Sequence, residues 1–261
     1  MFNTPVAFDV TGDAYDRFMG RYSRRLAPLF ADFAGVREPQ RVLDVGCGPG
    51  ALTTELVRRV GAEQVSAVDP SPRFVAALRE RLPQVEVQIA PGESLPHPDD
   101  SFDAAVAQLV VSFMRDAPAA ATEMRRVVRP GGVVAACMWD ARGGMELLSL
   151  FWSAANELDG TTVDDESRMR YRTPEELREL LEGAGLGDVR EELLEVTAGY
   201  DDFDDFWSAI DLGVGPIGAY FAKLDEARRI DLRELLRQRL GEPTGAFMLT
   251  GRAWAVRGMR A

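Results

Sequence analysis

The chain has 261 residues and 28.7 kDa, with 46% hydrophobic and 28% charged residues, which suits one α/β domain with decorations or two small domains, and lies far from disordered compositions. A net charge of −12 and a pI near 4.7 exclude a general nucleic-acid binder, which needs a basic footprint, and disfavour an anionic membrane surface. Apolar runs such as Val133–Trp139 are too short to span a bilayer, Met1–Gly20 shows no leader pattern, and Cys47 and Cys137 make neither a disulfide framework nor a zinc cluster. A cytoplasmic protein acting on a small molecule, without a metal, is expected.

Strands and helices alternate along the chain, as in a parallel sheet. Residues 1–39 precede the first strand and carry a helix over about Tyr15–Phe33, on which Tyr15, Phe18, Met19 and Tyr22 share one face. Arg41–Val45 reads as the first strand, and Ala51–Val60 as a helix with Leu52, Leu56, Val57 and Val60 spaced by three and four. Gln64–Val68 is the second strand. Ser71-Pro72 then opens a helix to about Arg81, as a cap followed by proline at the first helical position. Val85–Ile89 is the third strand, and Phe102–Val110 the fourth, apolar enough to be covered on both faces. Ala117–Val128 is predicted helical, Arg129-Pro130-Gly131-Gly132 a turn, and Val133–Met138 a fifth strand. Further helices are expected over Met145–Leu158, and from Thr173-Pro174-Glu175-Glu176 to the glycines at 183 and 185. Val189–Val196 and Phe247–Val256 are the last strands, with a mostly helical stretch over 201–240 between them. The expected organisation is one domain: a cap segment at 1–39, a core at 40–199, a helical insertion at 200–245 and a closing strand at 246–261.

The glycine-rich turn Gly46-Cys47-Gly48-Pro49-Gly50 joins the first strand to its helix. Glycines suit a chain that reverses tightly and lets a ligand lie against bare backbone. A dinucleotide-binding turn would put its third glycine where Ala51 stands, so the spacing opposes a nicotinamide oxidoreductase. Asp44, two residues ahead of the turn, suits an ammonium group better than a pyrophosphate. Asp69, closing the second strand, sits where a carboxylate accepts from both hydroxyls of a ribose.

Together with these residues, the stretches VLDVGCGPG at 42–50, AVDPSP at 67–72, GESLPHPDDSFDAAVAQLVVSF at 92–113, EMRRVVRPGG at 123–132 and TPEELRELLEGAGL at 173–186 carry a family resemblance. The chain resembles the class I S-adenosylmethionine-dependent methyltransferases, in the branch similar to the ubiquinone/menaquinone C-methyltransferases. The resemblance implies a Rossmann-like sheet of seven strands, six parallel and the last antiparallel, with helices on both faces and an N-terminal lid helix. It implies S-adenosyl-L-methionine as cofactor. Asp44, Gly46, Cys47 and Gly48 would hold its methionine part, Asp69 and Pro70 its ribose and adenine, Gly92 and Glu93 the adenine edge, and Gln108 and Val110 the sulfonium end. Tyr15, Met19 and Arg24 of the lid would touch it. The chain departs from the family at Pro91, where an aspartate is usual, and at Ser112 and Phe113, where relatives often carry a histidine pair.

Tyr22, Phe113, Trp139, Trp152 and Tyr220 are the candidate substrate-facing residues, although Phe151, Trp152, Phe206, Trp207, Tyr220 and Phe221 more simply belong to the core. Asp140, directly after the fifth strand, is the candidate catalytic carboxylate. His97, the single histidine, lies between prolines and is expected at the surface without a catalytic role. The cysteines read as small buried residues, and the aspartates at 201, 202, 204 and 205 as a solvated helix start. The expected function is methyl transfer to a small, partly apolar molecule. The alternative is a protein that keeps fold and cofactor but does other chemistry, such as a cyclisation, or none.

Overall fold

In the computed structural model, residues 11–140, 142–162 and 169–261 are described; residues 1–10 of the cap segment lie outside them. The chain runs through Gly12–Phe18 (α1), Gly20–Ala34 (α2), Val42–Val45 (β1), Ala51–Val60 (α3), Val65–Asp69 (β2), Pro72–Arg81 (α4), Glu86–Ile89 (β3), Phe102–Gln108 (β4), Ala117–Val127 (α5) and Val128–Trp139 (β5). Glu146–Asp159 (α6), Pro174–Gly183 (α7), Gly187–Tyr200 (β6), Phe203–Asp211 (α8), Gly215–Phe221 (α9), Glu226–Arg239 (α10) and Phe247–Met259 (β7) complete it.

The strands form one sheet in the order β3-β2-β1-β4-β5-β7-β6. The first five are parallel, and β7 enters antiparallel to both β5 and β6. This is the Rossmann-like sheet that the alternation and the resemblance imply. Every residue of β1 and β2 is buried, as strands covered on both faces require. One face carries α2, α3, α4, α6 and the insertion, packed through Leu26, Leu56, Leu78, Phe151 and Phe206; the other carries α5 and α7, packed through Met124, Leu177 and Leu181. Connections run opposite ways from β1 and β4, so the crevice at their carboxyl ends is the switch point where such sheets bind ligands.

Four local differences from the sequence reading have physical causes. The cap is two helices rather than one, because the chain breaks at Met19 and Gly20; a Cβ at Gly20 would lie 2.9 Å from Asp16 Oδ1. The Arg129–Gly132 stretch is not a free turn. Phe102 pairs with Val128 but Ala104 with Val133, so the stretch bulges from an unbroken β5, and the Gly131 N–H donates to the Arg260 carbonyl at 2.7 Å. The fourth strand stops at Gln108, because Leu109 turns into the left-handed region at φ 61°. The last two strands outrun their apolar patterns: β6 and β7 pair from Gly187 with Met259 to Tyr200 with Phe247. Their far end anchors the insertion, where Tyr200 packs against Phe206 and Phe247.

Candidate active site

The glycine turn leaves β1 with its backbone tied to the neighbouring strand: the N–H groups of Gly46 and Cys47 both donate to the Val68 carbonyl, at 2.8 and 3.0 Å. Gly46 and Gly50 have positive φ and no room; a Cβ would meet Val110 Cγ2 at 2.5 Å in the first and Leu78 Cδ1 at 2.4 Å in the second. Gly48 differs. Its φ is +53°, and a Cβ there would meet nothing within 4 Å, so this residue presents bare backbone to open space.

Two carboxylates flank the turn. Asp44 on β1 is 1% exposed; its Oδ2 accepts from the Thr53 hydroxyl at 2.6 Å, and its Oδ1 is buried with no hydrogen-bond partner among the described residues. Burial, opposed by the Thr53 bond, pushes its pKa up to about 7. A buried acceptor left open is costly unless a donor arrives, and an ammonium is the fitting donor. Asp69 closes β2 and bridges two loops, accepting from Gly48 N–H at 2.9 Å through Oδ2 and from Ser71 N–H at 2.8 Å through Oδ1. Burial raises its pKa as well. Each carboxylate oxygen has a further lone pair, so the bridge leaves capacity for ribose hydroxyls.

The cap roofs this crevice. Tyr15 on α1 packs edge-on against Phe74 at 5.6 Å, and burial, with Asp69 and Asp16 nearby, raises its phenol pKa. Tyr15, Phe18 and Met19 form one wall of an apolar cavity of about 50 Å³; Leu109, Phe113 and Trp139 form another, and the α9 start at 214–217 closes it. This volume is smaller than the several hundred Å³ that ligand pockets usually hold. Arg172 also lines the cavity, 5% exposed, its Nε donating to the Trp139 carbonyl at 3.4 Å.

The remaining candidates divide. Phe113 and Trp139 face the cavity, whereas Tyr22, Trp152 and Tyr220 are packed into the core beside it. Tyr22 is held by the Tyr200 hydroxyl at 3.2 Å and the edge of Trp139, and Trp152 and Tyr220 lie edge-on to each other and to Phe151. Gln108 Nε2 donates to the Ser23 carbonyl on α2 at 3.1 Å, leaving Oε1 buried without a partner among the described residues. Val110 covers Gly46, and Gly92 sits buried among Met114, Val45 and Ala120. The Glu93 carboxylate accepts from the N–H groups of Arg115 and Asp116, while Pro70 is exposed. Arg24 pairs with Asp16 and lines an outer groove with Thr54, Glu55 and Arg81. Cys47 and Cys137 are buried thiols whose pKa burial raises.

Asp140 is not among the described residues that line the cavity; its Oδ1 accepts from the Arg142 N–H at 3.0 Å. His97 is buried rather than at the surface, edge-on against Phe102 at 5.0 Å. Phe102 begins β4, so the histidine sits at the amino edge of the sheet, opposite the crevice. Among the aspartates, Asp202 caps α8, Asp205 pairs with Arg21 and Asp204 with Arg233. Among the described residues no group of three or more acidic, histidine or cysteine side chains is placed to hold a metal ion. No described helix is long and apolar enough to cross a membrane.

Sequence reasoning missed Leu109 and Arg172 as wall residues. Leu109 reaches the cavity through a left-handed turn that no residue type announces, and Arg172 stands just before a helix cap with no pattern around it.

Comparison with known proteins agrees with this geometry. Residues 43–136 match the methyltransferase domain family. With the sheet order and the glycine turn, this gives the chain a methyltransferase domain over that stretch. It is 35% identical over 151 residues to a malonyl-[acyl-carrier protein] O-methyltransferase of Pseudescherichia vulneris, covering 58% of this chain and 59% of that protein. The enzyme of that name from Halorhodospira halophila is 34% identical over 132 residues, 49% of this chain and 45% of that one. The chain thus spans about half the length of the curated relatives it matches. A Thermotoga maritima structure described as an S-adenosylmethionine-dependent methyltransferase, possibly acting on histamine, superposes with a TM-score of 0.55 over 95% of this chain and 99% of that one. At 20% identity, that likeness is one of fold.

Proposed function

We propose that the chain transfers a methyl group from S-adenosylmethionine to a small, largely apolar acceptor held under α1. The observation that carries this reading is Asp44 Oδ1, a buried acceptor without a partner among the described residues, beside a glycine turn whose middle glycine faces open space. Asp44 would take the ammonium of the cofactor's amino-acid end, Asp69 the ribose hydroxyls, and Gly48 the close approach of the ligand. The bound cofactor supplies an electrophilic methyl carbon on a sulfonium. The task left to the chain is alignment and exclusion of water, worth roughly 7–11 kcal/mol of barrier when geometry is good. Tyr15, Phe18, Met19, Leu109 and Trp139 provide the dry wall for it.

An acidic acceptor is favoured by Arg172, the one charged side chain among the described residues of that wall. A guanidinium matches a carboxylate in two-pronged geometry. A carboxylate is already nucleophilic, so it asks no side chain to remove a proton. O-methylation is also what the names of the two malonyl-carrier relatives state for those proteins.

The test has two stages. S-adenosylhomocysteine should raise the melting temperature and NADH should not, since only a ligand of the native state shifts unfolding. Release of S-adenosylhomocysteine should then be faster with small apolar carboxylic acids than with the matching amides, and Arg172→Met should raise KM for the acids alone. Failure of S-adenosylhomocysteine to stabilise the chain overturns the reading.

A further inference from the structure

We infer that Thr53 is a positioning residue for the cofactor: its hydroxyl fixes the Asp44 carboxylate so that the second oxygen faces the ammonium of the amino-acid end. The inference rests on the methyltransferase reading above. Thr53 lies in the first turn of α3, 0% exposed, and donates to Asp44 Oδ2 at 2.6 Å, a short charge-assisted bond. Its neighbour shows what an ordinary helical threonine does: the Thr54 hydroxyl donates to the Gly50 carbonyl four residues back, at 2.7 Å. Thr53 instead reaches across to β1. A β-branched side chain in a helix has few rotamers, so this bond holds the carboxylate plane in one orientation. One oxygen is then occupied and the other is left buried without a partner among the described residues.

The charges around Asp44 give the bond its consequence. Asp69 faces it from β2 and raises its pKa; Cys47 in the turn and Cys137 on β5 are thiols within its field. On α3, Arg58 and Arg59 are paired with Glu55, and Arg59 also with Asp32. The hydroxyl of Thr53, together with its backbone N–H, lowers the pKa of Asp44 against burial and Asp69. Without it the carboxyl keeps its proton to higher pH and is free to rotate, and both changes weaken its hold on an ammonium.

The experiment is calorimetric titration of the whole chain with two probes, S-adenosylhomocysteine and 5′-methylthioadenosine, which shares the nucleoside but lacks the ammonium and carboxylate. Thr53→Val should weaken S-adenosylhomocysteine about tenfold or more at pH 7, as expected for loss of a hydrogen bond to a charged group. Affinity for 5′-methylthioadenosine should stay within about twofold, the scatter of an interaction that has not changed. Thr53→Ser should restore wild-type affinity, and the pH below which S-adenosylhomocysteine affinity falls should move upward in Thr53→Val. If the valine variant does not fold, Thr53→Ala is read the same way. Equal weakening of both probes, or no restoration by serine, overturns the positioning role. Absence of S-adenosylhomocysteine binding to the unaltered chain would instead overturn the methyltransferase reading itself.

Discussion

Asp16 on α1 and Arg81 on α4 stand 2.5 Å apart, and the same guanidinium donates to the Pro49 carbonyl in the glycine turn at 2.6 Å. The roof of the crevice is thereby tied to its floor. Asp16 is nearly buried and also pairs with Arg24, so this link is screened less than an open surface pair.

Loosening that tie should free the roof. Arg81→Gln is expected to speed amide hydrogen exchange over residues 12–25 and to raise the dissociation rate of S-adenosylhomocysteine a few-fold, in line with about 1 kcal/mol for such a pair. Exchange at the wild-type rate would show that the packing of Tyr15 and Phe18 alone holds α1.

Asp44 sets function against stability. Its pKa in the folded chain is about 7, above the ordinary value of 3.8, so between those values the folded form holds a proton that the unfolded form has released. Stability without ligand should therefore fall as pH rises from about 4 to about 7, and the full cost persists above that. The raised pKa of Asp69 acts in the same direction. Asp44→Asn removes Asp44's share. Its melting temperature should exceed that of the unaltered chain by a few degrees at pH 8, with little or no excess at pH 4.5, and S-adenosylhomocysteine should no longer raise it. Thermal unfolding at the two pH values decides this; no gain at pH 8 would mean that Asp44 is not held against its own charge.

Much of this site was legible because the sheet edge leaves few choices. A glycine turn at the end of a buried strand, and an acid at the end of the next, are brought side by side by parallel pairing: Asp44 stands opposite Ala67, and Asp69 reaches the Gly48 N–H. Side chains placed by long-range packing were not legible. Trp152 and Tyr220 have the composition of a substrate box, yet they fill the gap between α6 and α9 and face each other. Asp140 follows a strand as a ligand-facing residue would, yet it is not among the residues that line the cavity, and its Oδ1 accepts from a backbone N–H two residues on. Leu109 enters the cavity by a left-handed turn, which residue type alone does not signal in a leucine.

Two glycines of the turn, Gly48 and Gly50, should separate folding from binding. Gly50→Ala adds a methyl group 2.4 Å from Leu78 Cδ1 at a φ of +98°, so it should destabilise the fold by about 2 kcal/mol or more and lower expression. Gly48→Ala meets open space and bears only the left-handed penalty, about 1 kcal/mol, but its methyl group stands on the bare backbone facing the crevice. It should stay folded, with a melting temperature a few degrees lower, and lose S-adenosylhomocysteine affinity at least tenfold. Unchanged affinity in Gly48→Ala would place the ligand elsewhere than against the turn.

His97 supplies the converse case, a titratable residue that belongs to stability alone. Burial lowers its pKa, helped by the positive charges of Arg41 and Arg126 and opposed by Glu86. Its Nε2 is buried without a partner among the described residues, so protonation would strand a charge against Phe102. The folded pKa lies below the ordinary 6.5, so the stability tied to the neutral ring is fully present above 6.5 and is lost as pH falls through that value toward the lowered one. His97→Gln should flatten that acid limb in a series of thermal melts from pH 7.5 to 5. At pH 7.5 it should leave S-adenosylhomocysteine affinity and kcat within about twofold of the unaltered chain, because the ring lies at the amino edge of the sheet while the crevice lies at the carboxyl edge. A hundredfold fall in kcat with ligand affinity intact would make the histidine a proton carrier after all, and would require an acceptor site on the opposite side of the sheet from Asp44 and the cavity under α1.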